Sequence, residues 1–136
     1  MEHKLSMEDM QLMNMLEQMT GARAEDVMFS DESVTFAVRQ GDLGMAVGRQ
    51  GANIARLERA MHRRVEIVEK GNDLHEFLSR FFLPIRIVEI RDTPDGAAIK
   101  VNASDRGLAI GRNGEKIKRA KMLAQRYFGA GNVKIL

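Results

Sequence analysis

Apolar residues near the start of the chain recur every three or four positions, which is the spacing of one face of a helix. The spacing of Ser6 and Asp9 is typical of a capping box at a helix start, and Gly21 is a suitable end. The pattern therefore predicts a first helix between Ser6 and Gly21. Its inward positions are Leu12, Met15, Leu16 and Met19.

Alternating apolar positions follow and predict two strands, at 25–30 and 33–39. A short helical turn, a longer helix and a third strand come next. The longer helix is marked by Ile54, Leu57 and Met61, and the strand by Val65 and Ile67.

The second half of the chain has the same order of elements. Asn72 or Asp73 is a suitable N-cap for its first helix, and the periodicity predicts strands at 85–91 and 97–102. Ser104 is predicted to cap a short helix. A long helix follows, with Ile117, Ala120, Ala124 and Tyr127 on its inner face, and Gly129 or Gly131 is predicted to end it. Val133 and Ile135 predict a final strand.

An internal repeat underlies this symmetry, since residues 43–56 align without gaps to residues 106–119 at an offset of 63. Seven of the aligned positions are identical. They pair Gly44, Ala46, Gly48, Arg49, Gly51, Ile54 and Arg56 with Gly107, Ala109, Gly111, Arg112, Gly114, Ile117 and Arg119. The sequence therefore predicts an α+β protein built from two α-β-β-α-α-β domains, at 1–69 and 70–136. The short join at 70–72 predicts a nearly fixed orientation between them.

Charge is unevenly distributed, although the net charge of the 136 residues is only +2. Residues 1–42 carry −6, 43–64 carry +4, 65–105 carry −3 and 106–136 carry +7. The two basic blocks cover the repeated segment and the helix after each copy. This distribution indicates two local anion-binding surfaces.

Each copy of the repeat contains a Gly-Arg-polar-Gly loop between two helices. Glycine permits positive φ, and the N-terminus of the following helix favours a phosphate. Arg49 and Arg112 add guanidinium groups that can bind phosphate oxygens in a forked geometry. A single copy fits a plain helix connection equally well, but the recurrence with arginine in place favours phosphate binding.

These loops resemble the GXXG loop of the KH family, which holds the backbone of about four nucleotides of single-stranded RNA. One helix and one strand follow Gly114, so the element order is similar to that of type II KH domains. Two adjoining type II domains resemble the paired KH region of the NusA family of transcription factors, in particular its short archaeal members. The resemblance covers essentially the whole chain.

The resemblance implies single-stranded RNA as the partner, with RNA polymerase or the transcription complex as a further candidate partner. It implies that the RNA backbone is held by Gly48, Arg49, Gln50, Gly51, Gly111, Arg112, Asn113 and Gly114. Val47 and Ile110, next to the loops, are expected to contact bases in an apolar groove.

Basic residues on the helices after the loops are further candidate RNA contacts. They are Arg56, Lys116 and Arg119. Arg59, His62, Arg63 and Arg64 add to the basic surface. Solvent-exposed helix faces opposite the core explain most of these residues equally well, and the repeat favours Arg56 and Arg119 because it contains both.

The remaining residues argue against an enzyme. His3, His62 and His75 have no spacing suited to a metal site, no acidic pair stands out as a catalytic dyad, and no phosphate-binding GxxxxGK[ST] motif is present. We therefore expect no catalytic residue, metal or cofactor. The chain has no cysteine, signal-like start or apolar run of membrane-spanning length, so we expect a cytoplasmic protein.

Two alternatives stay open at this point. A ribosome-associated or RNA-chaperone KH protein belongs to the same class. An adaptor for other proteins belongs to a different class; its loops would be structural turns, and its acidic first helix would be the docking surface.

Overall fold

The computed structural model describes residues 5–136; His3 and the rest of the first four residues lie outside this range. The chain divides into two compact units, one ending at Glu69 and one beginning at Lys70, here called unit 1 and unit 2. Each unit has the element order predicted from the sequence. Among the described residues, no helix is long and apolar enough to cross a membrane.

The described part of unit 1, residues 5–69, contains three α-helices and three strands. Their bounds are α1 Met7–Thr20, β1 Ala24–Phe29, β2 Ser33–Val38, α2 Leu43–Val47, α3 Ala52–Met61 and β3 Arg64–Val68. Strand β2 is the central strand, paired antiparallel with β1 and parallel with β3.

Unit 2 repeats the arrangement. Its elements are α4 Leu74–Phe81, β4 Ile87–Thr93, β5 Gly96–Val101, α5 Arg106–Ile110, α6 Glu115–Phe128 and β6 Asn132–Ile135. Strand β5 is central, antiparallel to β4 and parallel to β6. Two three-stranded sheets, each with helices, make the protein α+β, as predicted.

The repeat extends to the strand register. Val27 pairs with Phe36 in unit 1, and Ile90 pairs with Ile99 in unit 2, positions that differ by the same 63 residues. The register shifts between Ala24 and Asp26 and again between Ile87 and Glu89, so an irregularity occurs at the same place in both hairpins. The duplication is therefore present in the structure as well as in the amino-acid sequence.

The predicted caps of the first helices are confirmed. The Ser6 hydroxyl accepts a hydrogen bond from Asp9 N–H at 3.1 Å, and the Asp9 carboxylate accepts one from Ser6 N–H at 2.8 Å. Gly21 ends α1 in the left-handed conformation, and Asp73 caps α4. The prediction for Ser104 is wrong: it lies inside a short 3₁₀ turn, and Asp105 occupies the N-cap position of α5 without a side-chain cap.

The cores lie between the sheets and the helices. In unit 1 the predicted Leu12, Leu16, Leu57 and Met61 are buried against the strand residue Phe36. Unit 2 has its own set of fully buried residues. The largest of these are Phe77, Phe82, Leu78, Ile99, Leu123 and Val133. Small buried residues, Ala46 in α2 and Ala109 in α5, allow each short helix before a loop to lie close to its core.

Candidate nucleic-acid interface

Both Gly-Arg-polar-Gly segments form the same tight turn between two helices, closed in each copy by the N–H of the second glycine, which donates to the carbonyl of the first. The (φ, ψ) angles are (78°, 169°) at Gly48 and (81°, 168°) at Gly111. At the third loop position they are (54°, 31°) for Gln50 and (56°, 26°) for Asn113. The two loops are therefore copies of one backbone conformation.

The first glycine of each loop is required by close packing. A Cβ on Gly48 would lie 2.8 Å from the backbone nitrogen of Asn53, and one on Gly111 would lie 2.7 Å from that of Lys116. Their torsions also fall in a region that residues with a side chain rarely adopt. These glycines thus let the helix after each loop begin directly against the helix before it.

The second glycine of each loop has a different environment. Gly51 and Gly114 have φ values of +74° and +73°, but no heavy atom would lie within 4 Å of a Cβ on Gly51, and the nearest to one on Gly114 is Lys118 Cε at 3.9 Å. The helices α3 and α6 begin at the next residue. The space beside the glycine before each helix is therefore open, and the helix dipole favours a phosphate there.

Arg49 and Arg112 are exposed at the second position of each loop. Within residues 5–136, neither guanidinium forms a hydrogen bond or salt bridge with another residue. Gln50 and Asn113 are also exposed, in the left-handed conformation. Nothing in the described chain competes with a ligand for these arginines.

The predicted base contacts, Val47 and Ile110, are half-buried at the ends of α2 and α5. Each directly precedes the first glycine of its loop, and each is partly exposed. The structure therefore leaves part of an apolar side chain open beside each loop.

Arg56 is held within its own unit. Its guanidinium donates to the side-chain oxygen of Asn53 at 3.1 Å and to the carbonyl of Met19 at 3.4 Å. Asn53 in turn donates to the carbonyl of Met45 at 2.9 Å. This chain of contacts connects α1, α2 and α3, so the recurrence of Arg56 has a structural explanation besides RNA contact.

Lys116, the counterpart of Asn53, is held differently. Its ammonium lies 4.3 Å from the ring centroid of Phe81 and 6.0 Å from that of Phe82, which is cation–π geometry. Arg119 is half-buried in α6 and also interacts within the structure. Lys116 and Arg119 are therefore less available to a ligand than Arg112, because both interact within the protein.

The side chain of Arg63 is half-buried within unit 1, while its basic neighbours Arg59, His62 and Arg64 are exposed. Its guanidinium is 5.5 Å from the ring centroid of Phe29 and 3.4 Å from the Glu8 carboxylate. Arg63 therefore stabilises unit 1, and the exposed neighbours contribute positive charge to the surface.

Two acidic residues absent from the predicted site hold the segment that enters α2. Glu69 is buried, and one of its oxygens accepts the N–H groups of Gly41 and Leu43 at 3.0 Å each. Asp42 accepts the N–H of Arg23 at 2.9 Å. That bond lowers the pKa of Asp42, partial burial works in the opposite direction, and Arg39 lowers the pKa further. No local pattern marks Glu69, because its partners lie 26 and 28 residues away.

Comparison with known proteins gives the family. The sequence profile of the KH domain matches residues 13–87 and again residues 72–135. The chain belongs to the KH domain family. The RNA-binding function predicted from the sequence is the function of this family.

The relatives of this KH chain narrow the group to NusA-like proteins. A "Probable transcription termination protein NusA" of Methanococcus vannielii is 31% identical over 140 residues, covering 100% of this chain and 81% of that protein. A protein of the same name from Halobacterium salinarum strain R1 is 30% identical and covers 97% of both chains. The crystal structure of APE1850 matches with a TM-score of 0.82 and 28% identity, covering 96% of this chain and 99% of that one. The predicted resemblance to the archaeal NusA family is confirmed.

Proposed function

We propose that the chain is a non-catalytic, cytoplasmic NusA-like factor of transcription termination or elongation that holds single-stranded RNA through its two GXXG loops. The observation that carries the proposal is the duplicated loop, with one backbone conformation, a free arginine and open space at its second glycine in both copies. In this proposal, residues 1–69 and 70–136 are the two RNA-binding domains.

The backbone of the RNA is bound by the eight loop residues. A phosphate lies at the start of α3 or α6, where the helix dipole favours negative charge, and Arg49 or Arg112 binds its oxygens. Val47 and Ile110 contact the bases. Arg56, Lys116 and Arg119 are additional contacts, and RNA has to share or displace the interactions that these residues make within the protein.

The transcription role follows from the relatives, whose name is that of a probable termination protein. The expected partners are single-stranded RNA and the transcription complex. An adaptor function has less support, because a purely structural turn has no need for an exposed, unpaired arginine in both copies.

The central test puts negative charge where phosphate is expected. In one variant, Arg49, Gln50, Arg112 and Asn113 are all replaced by Asp, which tolerates the left-handed conformation of the third loop position. We expect its affinity for single-stranded RNA at fixed salt to fall at least about tenfold, since charge-assisted hydrogen bonds are lost and repulsion is added. Unchanged affinity in the folded variant refutes the loop assignment.

A matched control separates local from overall charge. Replacing Arg86, Lys100 and Lys134 by Glu changes the net charge by the same −6, at exposed positions outside both loops. This control is expected to lose much less affinity than the loop variant. For the natural chain, contacts with about 4–8 phosphates predict a log–log salt slope of about −3 to −5, and a flat response favours the adaptor.

The transcription role has its own assay. In a purified transcription reaction, we expect the natural chain to change the fraction of transcripts that end at a termination site, and the loop variant to lose this effect. An equal effect of both proteins contradicts a role that depends on RNA binding.

A further inference from the structure

The two loops differ at a single position, the polar residue before the second glycine. The loop of unit 1 has Gln50 there and that of unit 2 has Asn113, in the same left-handed conformation with φ values of 54° and 56°. Both side chains are exposed. Asn113 is the only asparagine of the chain that is followed by glycine. This difference gives unit 2 a chemical reaction that unit 1 lacks.

An asparagine before a glycine can lose its side-chain amide without an enzyme. The backbone nitrogen of Gly114 gives up its proton to the solvent and attacks Cγ of Asn113; the N–Cγ bond forms, the Cγ–Nδ2 bond breaks and the nitrogen leaves as ammonia. Water then opens the five-membered imide at one of its two carbonyl carbons. Opening at Cγ gives aspartate, and opening at the backbone carbonyl carbon gives isoaspartate. Each product carries a carboxylate, which is charged at neutral pH.

The structure leaves the reacting groups of this pair accessible. Gly114 has no Cβ beside the attacking nitrogen, and the nearest heavy atom to a Cβ placed there would be 3.9 Å away. Within the described part of the chain, no partner holds the exposed amide of Asn113. The other exposed asparagines, Asn14, Asn72 and Asn102, each precede a residue whose side chain crowds the backbone nitrogen. Asn113 is therefore the asparagine best placed to react.

The folded loop controls when the reaction takes place. The ψ angle of Asn113 is 26°, so its Cβ and the nitrogen of Gly114 are far from the eclipsed arrangement that a five-membered ring needs. The N–H of Gly114 also donates to the carbonyl of Gly111 at 3.0 Å. Ring closure thus requires the loop to open, with the peptide group turned and this hydrogen bond broken. A ligand that holds the loop closed slows the reaction.

We propose that Asn113 is a site of spontaneous deamidation, which places a negative charge in the RNA-binding loop of unit 2 and leaves the loop of unit 1 intact. Unit 1 is spared because the longer side chain of Gln50 would have to form a six-membered ring, which closes more slowly. The reaction itself does not depend on RNA binding, but its effect on affinity rests on the proposed function. The modification acts on protein that is free of RNA.

The reaction is followed by mass spectrometry of peptides from the full chain, incubated in mildly alkaline buffer. We expect the amide of Asn113 to be lost first, while Asn14, Asn72 and Asn102 keep theirs. Mildly acidic buffer should slow the loss, because the attacking nitrogen must give up a proton, and saturating single-stranded RNA should slow it by holding the loop closed. Gln50→Asn copies the site into unit 1 and should make that loop react as well.

The effect on binding is measured with the same incubated protein. Its affinity for single-stranded RNA should fall about fivefold, because one added charge about 4 Å from a phosphate is repelled by about that factor in water. Asn113→Asp should show this loss without incubation. Asn113→Gln is the matched control, since it gives unit 2 the loop sequence of unit 1. It should bind as the fresh natural chain does and keep its affinity throughout the incubation.

The outcomes separate this inference from the proposed function. If Asn113 keeps its amide as long as the other exposed asparagines do, the inference is wrong and the proposed function stands. If the natural chain and Asn113→Gln lose affinity at the same rate, the damage lies elsewhere and the inference is again wrong. If Asn113 reacts but neither the incubated chain nor Asn113→Asp loses affinity, the loop of unit 2 does not hold RNA, which overturns both its proposed function and the effect of the modification.

Discussion

The two glycines of one GXXG loop should differ sharply in their tolerance of alanine. For Gly51→Ala the cost is the left-handed conformation, about 1–2 kcal/mol, partly offset by a less flexible unfolded chain. The space around Gly51 is open, so packing adds nothing. We therefore expect a loss of about 1 kcal/mol in the free energy of unfolding.

Gly48→Ala has two costs. Its torsions, 78° and 169°, belong to a region that is essentially restricted to glycine and costs about 1–3 kcal/mol. Its Cβ would also lie 2.8 Å from the backbone nitrogen of Asn53, well inside the ordinary contact distance of about 3.5–4.0 Å. A backbone atom cannot move aside as a side chain can, so overpacking adds a further ~1–3 kcal/mol.

Urea unfolding of the full chain measures the difference. With a slope of about 1 kcal/mol per molar urea for a small domain, Gly51→Ala should lower the unfolding midpoint of unit 1 by about 1 M or less, and Gly48→Ala by roughly 2 M or more. Gly41→Ala is the matched control, since Gly41 has a φ of +93° and open surroundings outside the loop. It should behave as Gly51→Ala does. Equal midpoints for Gly48→Ala and Gly51→Ala would refute the packing argument.

Two further predictions concern single contacts. Because the pKa of Asp42 is lowered in the folded state, its stabilising contribution is present above its ordinary pKa of 3.8 and is lost as pH falls through the folded-state pKa. The melting temperature should therefore fall more steeply in acid for the natural chain than for Asp42→Asn. If the two proteins show parallel plots of melting temperature against pH, this prediction is wrong. Lys116→Met keeps the aliphatic stem and removes the charge over the Phe81 ring, so the free energy of unfolding of unit 2 should fall by about 0.5–2 kcal/mol. An unchanged urea midpoint would show that the cation–π contact contributes nothing.

Local patterns were sufficient to predict the elements of this fold. The helix between Ser6 and Gly21 is specified by its own cap, apolar spacing and terminal glycine, all within one segment. The internal repeat made it possible to predict the elements of unit 2, because each element of unit 1 has its counterpart there. Ser104 shows the limit of such reasoning, since a serine close to a helix start satisfies the cap pattern whether or not its backbone takes the cap conformation.

The candidate site could be predicted only in part. The loop residues are adjacent in sequence, so their grouping is visible without a structure. Arg56 is different: its recurrence favoured RNA contact, but the carbonyl of Met19, 37 residues away, binds the same guanidinium. The roles of Gly48 and Gly51 could not be separated either, because the distinction depends on where the helix after the loop packs.

The Glu69 carboxylate has a practical consequence for dividing the protein. It is the last residue of unit 1, and it binds the segment through which the chain enters α2. A fragment that stops at Val68 would contain every helix and strand described for unit 1 and the whole loop, yet the N–H groups of Gly41 and Leu43, at the start of α2, would lose their acceptor. The unit to be expressed and studied separately is therefore defined by a hydrogen bond rather than by the end of its last strand.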